Sequence, residues 1–189
     1  NGRRTTATDR IMITILTEEC NDISQDFYNN LIDSLQICQM QCACKGCPAG
    51  TLILHGSYTR CVKKPAGKIS LIVRRVKCTD CNATHALLPS LLVPYSQVTT
   101  ADHAAIAAAK ENGKSVTDIL SDEGTNPELT ASQVWYILAV YIRYWQQRIR
   151  SEQIPLSPLH TLAQSCLACF SRAFMQIKPT PNILFPPPT

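Results

Sequence analysis

The pattern of apolar and polar positions predicts a short β-sheet in the middle of the chain. Ile69, Leu71 and Val73 lie on one face and Ser70, Ile72 and Arg74 on the other, and a period of two is typical of a half-buried strand. Pro65 and Gly67 supply the turn that precedes this strand. The predicted strands are 52–58, 68–77 and 85–88, which together make a three-stranded sheet.

On both sides of the predicted sheet, apolar residues recur at the three- and four-residue spacing of a helix. Ser115 with Asp118, and Thr130 with Gln133, have the spacing of a capping box, which marks a helix start. Gly113 is typical of the helix end that precedes the first box. The predicted helices are an acidic amphipathic helix over 17–41, then 101–112, 116–120, 131–150 and 159–177.

The three central helices follow one another in the order of a helix-turn-helix motif, whose second helix enters the major groove of DNA. The same order also occurs in a plain three-helix bundle, and the break at 122–129 is longer than the turn of a strict motif. Both interpretations therefore stay open. The apolar stripe predicted for the long helix consists of Val134, Leu138, Tyr141, Ile142, Trp145 and Ile149.

Composition adds one strong feature, which is the presence of ten cysteines. No secretory signal is evident, because the apolar run 11–16 is too short and is followed by Glu18 and Glu19. The most apolar stretch, 134–142, has about half of the ~20 residues that a membrane helix requires. We therefore expect a soluble cytoplasmic protein without membrane association, in a reducing compartment where paired cysteines bind metals more readily than they form disulfides.

The spacing of four cysteines predicts a metal site. The segments Cys44-Lys45-Gly46-Cys47 and Cys78-Thr79-Asp80-Cys81 are both C-x-x-C motifs, in which one turn of backbone presents two sulfurs on the same side. Two such turns complete a tetrahedron around Zn²⁺, and four thiolates leave no position for a reactive water, so the expected zinc is structural. The predicted ligands are Cys44, Cys47, Cys78 and Cys81.

Other candidate ligands stand beside this set. Cys42 could substitute for Cys44 or Cys47. His85 could replace a cysteine, although support of strand packing or a phosphate contact is the more typical role for a histidine there. A third C-x-x-C motif, Cys166 to Cys169, lies on a predicted apolar helix, where cysteine behaves as a small buried apolar residue.

Charge is concentrated in the segment that carries the predicted metal site. The whole chain has a net charge of 18 − 14 = +4, whereas residues 42–79 contain eight basic residues and no acidic residue. A charge run is usually a solvated face, but clustered cations also bind phosphates by releasing condensed counterions. The predicted nucleic-acid contacts are Arg60, Lys63, Lys64, Lys68, Arg74, Arg75 and Lys77 on the strands and Arg143, Gln147 and Arg150 on the long helix.

Catalytic motifs are not evident. The sequence contains no G-x-S-x-G, no H-E-x-x-H and no glycine-rich phosphate loop, and its acidic residues are placed as helix caps and in a solvated turn. We therefore expect a protein that is not an enzyme, with double-stranded DNA as its partner. The alternative is a zinc-containing adaptor that binds a protein of a transposition or transcription complex.

Together these elements predict an α+β protein in which a small three-stranded zinc ribbon is flanked by an N-terminal helix and a C-terminal helical bundle of helix-turn-helix type. The leader carries no folding pattern, and we interpret it as disordered or as upstream sequence. The predicted segments are 1–16 leader, 17–41 acidic helix, 42–97 zinc ribbon, 98–150 helix-turn-helix-like domain, and 151–189 C-terminal helix with a proline-rich tail.

Specific motifs carry a resemblance to known proteins. The segments are His55-Gly56-Ser57-Tyr58-Thr59-Arg60, the run from Arg74 to Pro89 that includes Cys78 and Cys81, and Val93-Pro94-Tyr95-Ser96-Gln97. Residues 42–97 resemble a family of short, uncharacterised zinc-ribbon proteins from Gram-positive bacteria. They are also similar to the zinc-ribbon head of certain insertion-sequence transposases, in which a helix-turn-helix follows. The resemblance implies a DNA-recognition module of a mobile genetic element, here without a catalytic domain, and a transposase as a further partner.

Overall fold

The computed structural model describes residues 12–17, 23–44, 47 and 50–176, and these form a mixed α+β structure. The strands are β1 (Met12–Ile15), β2 (Leu52–Lys64), β3 (Gly67–Cys78) and β4 (Thr84–Pro89). The helices are α1 (Gln25–Asp33), α2 (Thr100–Glu111), α3 (Val116–Ser121), α4 (Ala131–Val140), α5 (Gln146–Ser151) and α6 (Leu159–Phe170). A 3₁₀ turn occupies Ile37–Gln39, and a π-helical turn, Tyr141–Trp145, joins α4 to α5.

The sheet has four strands in the order β1-β4-β3-β2, where the sequence predicts three. β4 pairs antiparallel with β3, with Arg75 opposite Ala86, and parallel with β1, with Met12 opposite Ala86. The fourth strand therefore comes from a segment that the sequence analysis assigns to the leader. β4 is therefore paired along both of its edges, and its residues Leu87 and Leu88 are completely buried.

The first helix is shorter than predicted. Ser24 caps α1, because its hydroxyl accepts a hydrogen bond from the backbone N–H of Phe27, and the helix ends at Asp33. Of the predicted span 17–41, residues 18–22 lie outside the described residues. Tyr28 anchors α1 to the sheet: its hydroxyl donates to the Leu87 carbonyl at 3.0 Å and accepts from the Arg74 N–H at 2.8 Å.

The described residues group into two compact units. The first comprises the described parts of 1–15, 22–60 and 70–89, and the second those of 16–21, 61–69 and 90–189. The buried apolar residues of the first unit come from α1, β2, β3 and β4 and include Tyr28, Leu52, Leu71 and Leu87. The tip of the β2–β3 hairpin thus groups with the helices of the second unit rather than with its own base.

The helices α3, α4 and α6 of the second unit start where the sequence predicts, and α2 starts one residue earlier. Thr99, Ser115 and Thr130 each accept a hydrogen bond from the N–H three residues later, and all three form complete capping boxes. The boxes at Ser115 and Thr130 confirm the predicted helix starts. Gly113 adopts a φ of +81° after α2, a conformation that favours glycine, so the predicted turn at this position is also present.

The apolar stripe of the long helix is confirmed except at one position. Val134, Leu138, Tyr141, Trp145 and Ile149 are buried, whereas Ile142 is exposed. Ile142 lies inside the π-helical turn over 141–145, whose geometry differs from that of the α-helix assumed in the prediction. Trp145 packs edge-to-face against Phe170 and Phe174, with ring centroids 6.0 and 5.5 Å apart.

A polar network joins α2 to the end of the long helix. The carboxylate of Glu111 accepts hydrogen bonds from the Tyr141 hydroxyl at 3.0 Å, Gln146 Nε2 at 2.7 Å and the Arg150 guanidinium at 2.7 and 3.0 Å. Burial opposes ionisation of Glu111, but these hydrogen bonds outweigh it and hold its pKa below the usual value. The network therefore requires an ionised carboxylate.

The C-terminal helix ends earlier than predicted. α6 stops at Phe170 because Ser171 adopts a left-handed conformation with φ of +54°. Within the described part of the chain, no helix has both the length and the apolar character to cross a membrane. The proline-rich tail from residue 177 onward lies outside the described residues.

Candidate metal centre

The second cysteine turn of the sequence lies at the connection between β3 and β4. Cys78 is the last residue of β3, and its N–H donates to the Ala83 carbonyl at 2.9 Å, while the Asn82 N–H donates to the Cys78 carbonyl at 3.1 Å. Asn82 adopts a left-handed conformation with φ of +60°, which asparagine tolerates well. The tight turn directs the sulfurs of Cys78 and Cys81 into one group.

The first cysteine segment is a loop whose two ends are joined. Gln41 and Thr51 form an isolated antiparallel bridge, and the carbonyl of Thr51 also accepts from the Thr79 N–H at 3.0 Å. Cys42 directly follows the bridged Gln41, and Thr79 directly follows Cys78. The hydrogen bonds around Thr51 therefore hold the two cysteine-bearing segments together.

Four sulfurs lie at distances that suit a single metal ion. Cys42 Sγ is 3.6 Å from Cys81 Sγ, and Cys47 Sγ is 3.6 Å from Cys78 Sγ. All four sulfurs lie within 4.8 Å of one another. In a tetrahedral zinc site with Zn–S bonds of about 2.3 Å, neighbouring sulfurs are about 3.8 Å apart. Cys42, Cys47, Cys78 and Cys81 are therefore close enough to hold a metal ion.

Gly50 provides the space in which two of these sulfurs approach each other. A Cβ atom at this position would lie 2.1 Å from Cys78 Sγ and 2.8 Å from Cys47 Sγ. Both distances are far below van der Waals contact, so a larger residue would displace the sulfurs. Gly50 was not singled out from the sequence, since its role depends on the approach of Cys78 from a distant part of the chain.

The group contains three of the four predicted ligands, with Cys42 where the sequence analysis placed Cys44. Cys44 instead lies in a second group with Cys42 and His85, whose ligand atoms also lie within 4.8 Å of one another. His85 is completely buried, and its Nε2 is 3.4 Å from Cys42 Sγ. The sequence analysis named Cys42 and His85 as candidate replacements for predicted ligands, and both lie in this metal centre.

The acidity of the thiols shows why this cluster suits a cation. Burial raises the pKa of the Cys42 thiol to about 12, and the contact with Cys78 raises the pKa of Cys47 to about 12. The backbone N–H of Ala83 instead lowers the pKa of Cys81 to about 7. Without a metal, the thiols of Cys42 and Cys47 therefore stay neutral at pH 7. Binding of a divalent cation would favour the thiolates and so release protons.

Two of the lysines predicted to bind nucleic acid are engaged within the second unit. Lys63 is only 9% exposed, and its Nζ donates to the Glu128 carbonyl at 2.8 Å and to Gln133 Oε1 at 2.9 Å. Lys68 Nζ lies 3.0 Å from a carboxylate oxygen of Glu128. The absence of acidic residues from 42–79 does not reveal this ion pair, because Glu128 lies in a later part of the chain.

The other predicted contacts vary in exposure. Arg150 is exposed but pairs with Glu111, and burial lowers the pKa of Arg60. Arg74, Arg143 and Gln147 are exposed, whereas Arg60, Lys64, Arg75 and Lys77 are partly buried. The cysteines of the third C-x-x-C motif differ from each other: Cys166 is buried, as predicted, and Cys169 is exposed.

Comparison with known proteins gives one match. Residues 35–127 are similar to a family described as a domain of unknown function (DUF6431). The matched segment includes the four-cysteine group, His85 and the helices α2 and α3. No curated protein and no solved structure matches the chain.

Proposed function

We propose that this chain is a zinc-stabilised DNA-binding protein of a mobile genetic element, with a structural zinc ion held by Cys42, Cys47, Cys78 and Cys81. The observation that carries the proposal is the coincidence of the four-sulfur cluster with a segment that has eight basic residues and no acidic residue. The mobile-element assignment rests on the resemblance of residues 42–97 to transposase zinc-ribbon heads.

The donor set supports zinc as the metal. Four sulfur ligands in a tetrahedral arrangement are typical of zinc or of an iron–sulfur centre, and zinc sites of this kind serve folding rather than catalysis. When bound, zinc would supply the cross-link between the Gln41–Thr51 loop and the β3–β4 turn. In a purified protein we expect one tightly held zinc ion at this site and no iron, measured by elemental analysis. Loss of metal in Cys78→Ser would agree, and full metal content in that variant would contradict the ligand assignment.

Exposed basic side chains on β3 support phosphate binding. The side chain of Arg74 is exposed, and its backbone N–H, not its guanidinium, makes the hydrogen bond to Tyr28. Substitution by alanine would therefore remove the charge and leave the backbone contact in place. Arg75 and Lys77 follow on the same strand, so this end of β3 is a compact source of positive charge.

The helices of the second unit support a helix-turn-helix interpretation. Residues 112–115 link α2 to α3 through the left-handed Gly113, and a longer connection links α3 to α4. α4 exposes Ala131 and Ser132 at its N-terminal end and Trp135 and Tyr136 in its middle, and the exposed Arg143 follows in the π-helical turn. In helix-turn-helix proteins the N-terminal residues of the recognition helix contact base edges, and we assign that role to α4.

A salt series on random duplex DNA tests the proposal. Binding through phosphates predicts that log affinity falls linearly with log salt, with a slope of roughly −0.9 per contact. Arg74→Ala should weaken binding at each salt concentration and reduce the slope by about 0.9 if Arg74 contacts a phosphate. Lys110→Ala, which removes an exposed lysine of α2 outside the predicted contacts, serves as the control and should leave the slope unchanged. Absence of salt-dependent binding to duplex DNA would refute the proposal.

An adaptor that binds a protein partner is the second candidate. It is favoured by three apolar or aromatic side chains exposed on one stretch of helix, since Trp135 is 63%, Tyr136 50% and Ile142 47% exposed. The same salt series separates the two candidates, because an adaptor would have little affinity for duplex DNA at physiological salt. If Trp135→Ala leaves the affinity for duplex DNA unchanged, that result would also argue against α4 as the helix that reads DNA.

A further inference from the structure

The metal centre contains more ligands than one tetrahedral ion uses. Besides the four sulfurs of Cys42, Cys47, Cys78 and Cys81, the thiol of Cys44 and the imidazole of His85 lie in contact with the group. Each of the two overlapping sets, one of four sulfurs and one of two sulfurs and a nitrogen, is compact. Cys42 belongs to both sets.

We propose that Cys42, Cys44 and His85 form a second metal position, which shares the thiolate of Cys42 with the four-cysteine site. The inference rests on the four-cysteine site of the proposed function and adds a second ion to it. A thiolate sulfur has more than one lone pair and can bridge two cations. Cys42 is the one residue that the two sets have in common, so the bridge falls on its sulfur.

The distance between Cys42 and His85 agrees with a metal that binds both. With Zn–S bonds of about 2.3 Å and Zn–N bonds of about 2.0–2.1 Å, a tetrahedral ion holds sulfur and nitrogen about 3.6 Å apart. The separation of Cys42 Sγ from His85 Nε2 is 3.4 Å. Imidazole and thiolate are both ligands that zinc and cobalt accept, so the donor types fit as well as the spacing.

The second position differs from the first in one chemical respect. Among the described residues it has three ligands, which leaves a fourth position for water or another donor, whereas the four-cysteine site is closed. We therefore expect the second ion to bind more weakly and to exchange faster.

Titration of the metal-free full chain with Co²⁺ tests this inference. Wild-type protein should bind two equivalents: the first with the thiolate-to-cobalt absorption of a four-sulfur site, the second with a weaker spectrum of mixed sulfur and nitrogen ligands. Cys44→Ser and His85→Gln should each bind one equivalent and retain the four-sulfur spectrum. Cys169→Ser, which changes an exposed thiol outside both sets, is the control and should bind two.

Three outcomes overturn the second position. Saturation of the wild type at one equivalent would show that His85 only supports Cys42 by hydrogen bonding. A second equivalent retained in both the Cys44 and the His85 variant would place the ion elsewhere. Loss of the four-sulfur spectrum in Cys44→Ser, with that variant folded by circular dichroism, would make Cys44 a ligand of the first site. Failure of the proposed zinc site itself has a different signature, since Cys47→Ser would then keep the four-sulfur spectrum.

Discussion

Replacement of Gly50 by alanine is the sharpest test of the metal centre, because it alters no ligand. The added Cβ would lie 2.1 Å from Cys78 Sγ, which is roughly 1.4 Å short of the ~3.5 Å at which carbon-sized atoms touch. It would also lie 2.8 Å from Cys47 Sγ. Gly50 does not have the positive φ that favours glycine, so the effect of the substitution is steric.

The size of the expected loss follows from how precisely a metal site must be built. Ligand distances in a working site lie within about 0.2 Å of their ideal values, whereas the methyl group demands a displacement several times larger. Changes in the residues that merely orient ligands already cost about 10–100-fold in metal affinity. We expect Gly50→Ala to weaken zinc binding by about 100-fold or more, which corresponds to roughly 2.7 kcal/mol.

Competition with a chromophoric chelator measures this zinc affinity for the wild type and the variant at one pH. Gly124→Ala is the matched control, since a Cβ there meets no atom closer than 3.5 Å and its backbone also lacks a positive φ. The control should bind zinc as the wild type does. An unchanged affinity in Gly50→Ala would refute the placement of Gly50 against the two sulfurs and the site geometry that depends on it.

Three further predictions concern the second unit. Lys63→Met should destabilise the protein by about 1–3 kcal/mol in urea unfolding, because it removes the hydrogen bonds of a buried ammonium to the Glu128 carbonyl and to Gln133 Oε1, and it should leave the salt slope of DNA binding unchanged. The pKa of Glu111 is lower in the folded protein than in the unfolded chain, so the ionised carboxylate stabilises the fold fully above the unfolded pKa of about 4.3. This stabilisation is lost as the pH falls through the folded pKa. Below about pH 4.3, the melting temperature of Glu111→Gln should therefore fall less steeply than that of the wild type. Thr130→Ala should cost about 1 kcal/mol by thermal unfolding, since it removes the cap of α4, and an unchanged melting temperature would contradict that role.

Local signals in the sequence predicted the helical half well. A capping box such as Ser115 with Asp118 is complete within four residues, and both predicted boxes are present. The long helix keeps its predicted apolar stripe from Val134 to Ile149 except at Ile142, which lies in the π-helical turn. The spacing of the apolar residues gives no sign of that turn.

Features that depend on distant pairing were not predictable in the same way. The parallel partner of β4 is β1, and a parallel pair requires a long connection instead of a turn that could be recognised in the sequence. The place of Cys42 in the four-sulfur group likewise follows from the bridge between Gln41 and Thr51, not from motif spacing. The C-x-x-C rule located the centre to within a few residues, and the backbone pairing around it selects the sulfurs.

Contacts with distant parts of the chain also change the salt dependence that we expect for DNA binding. Seven basic residues of 60–77 would give a salt slope of about −6.3 if each contacted one phosphate. Lys63 is buried and donates to Glu128 and Gln133, and Lys68 pairs with the carboxylate of Glu128, whose own charge would repel a phosphate. Without these two residues, the largest slope that the segment could contribute is about −4.5. A measured contribution near the larger value would mean that DNA displaces Glu128 from Lys68, and Glu128→Gln would then strengthen binding most at low salt.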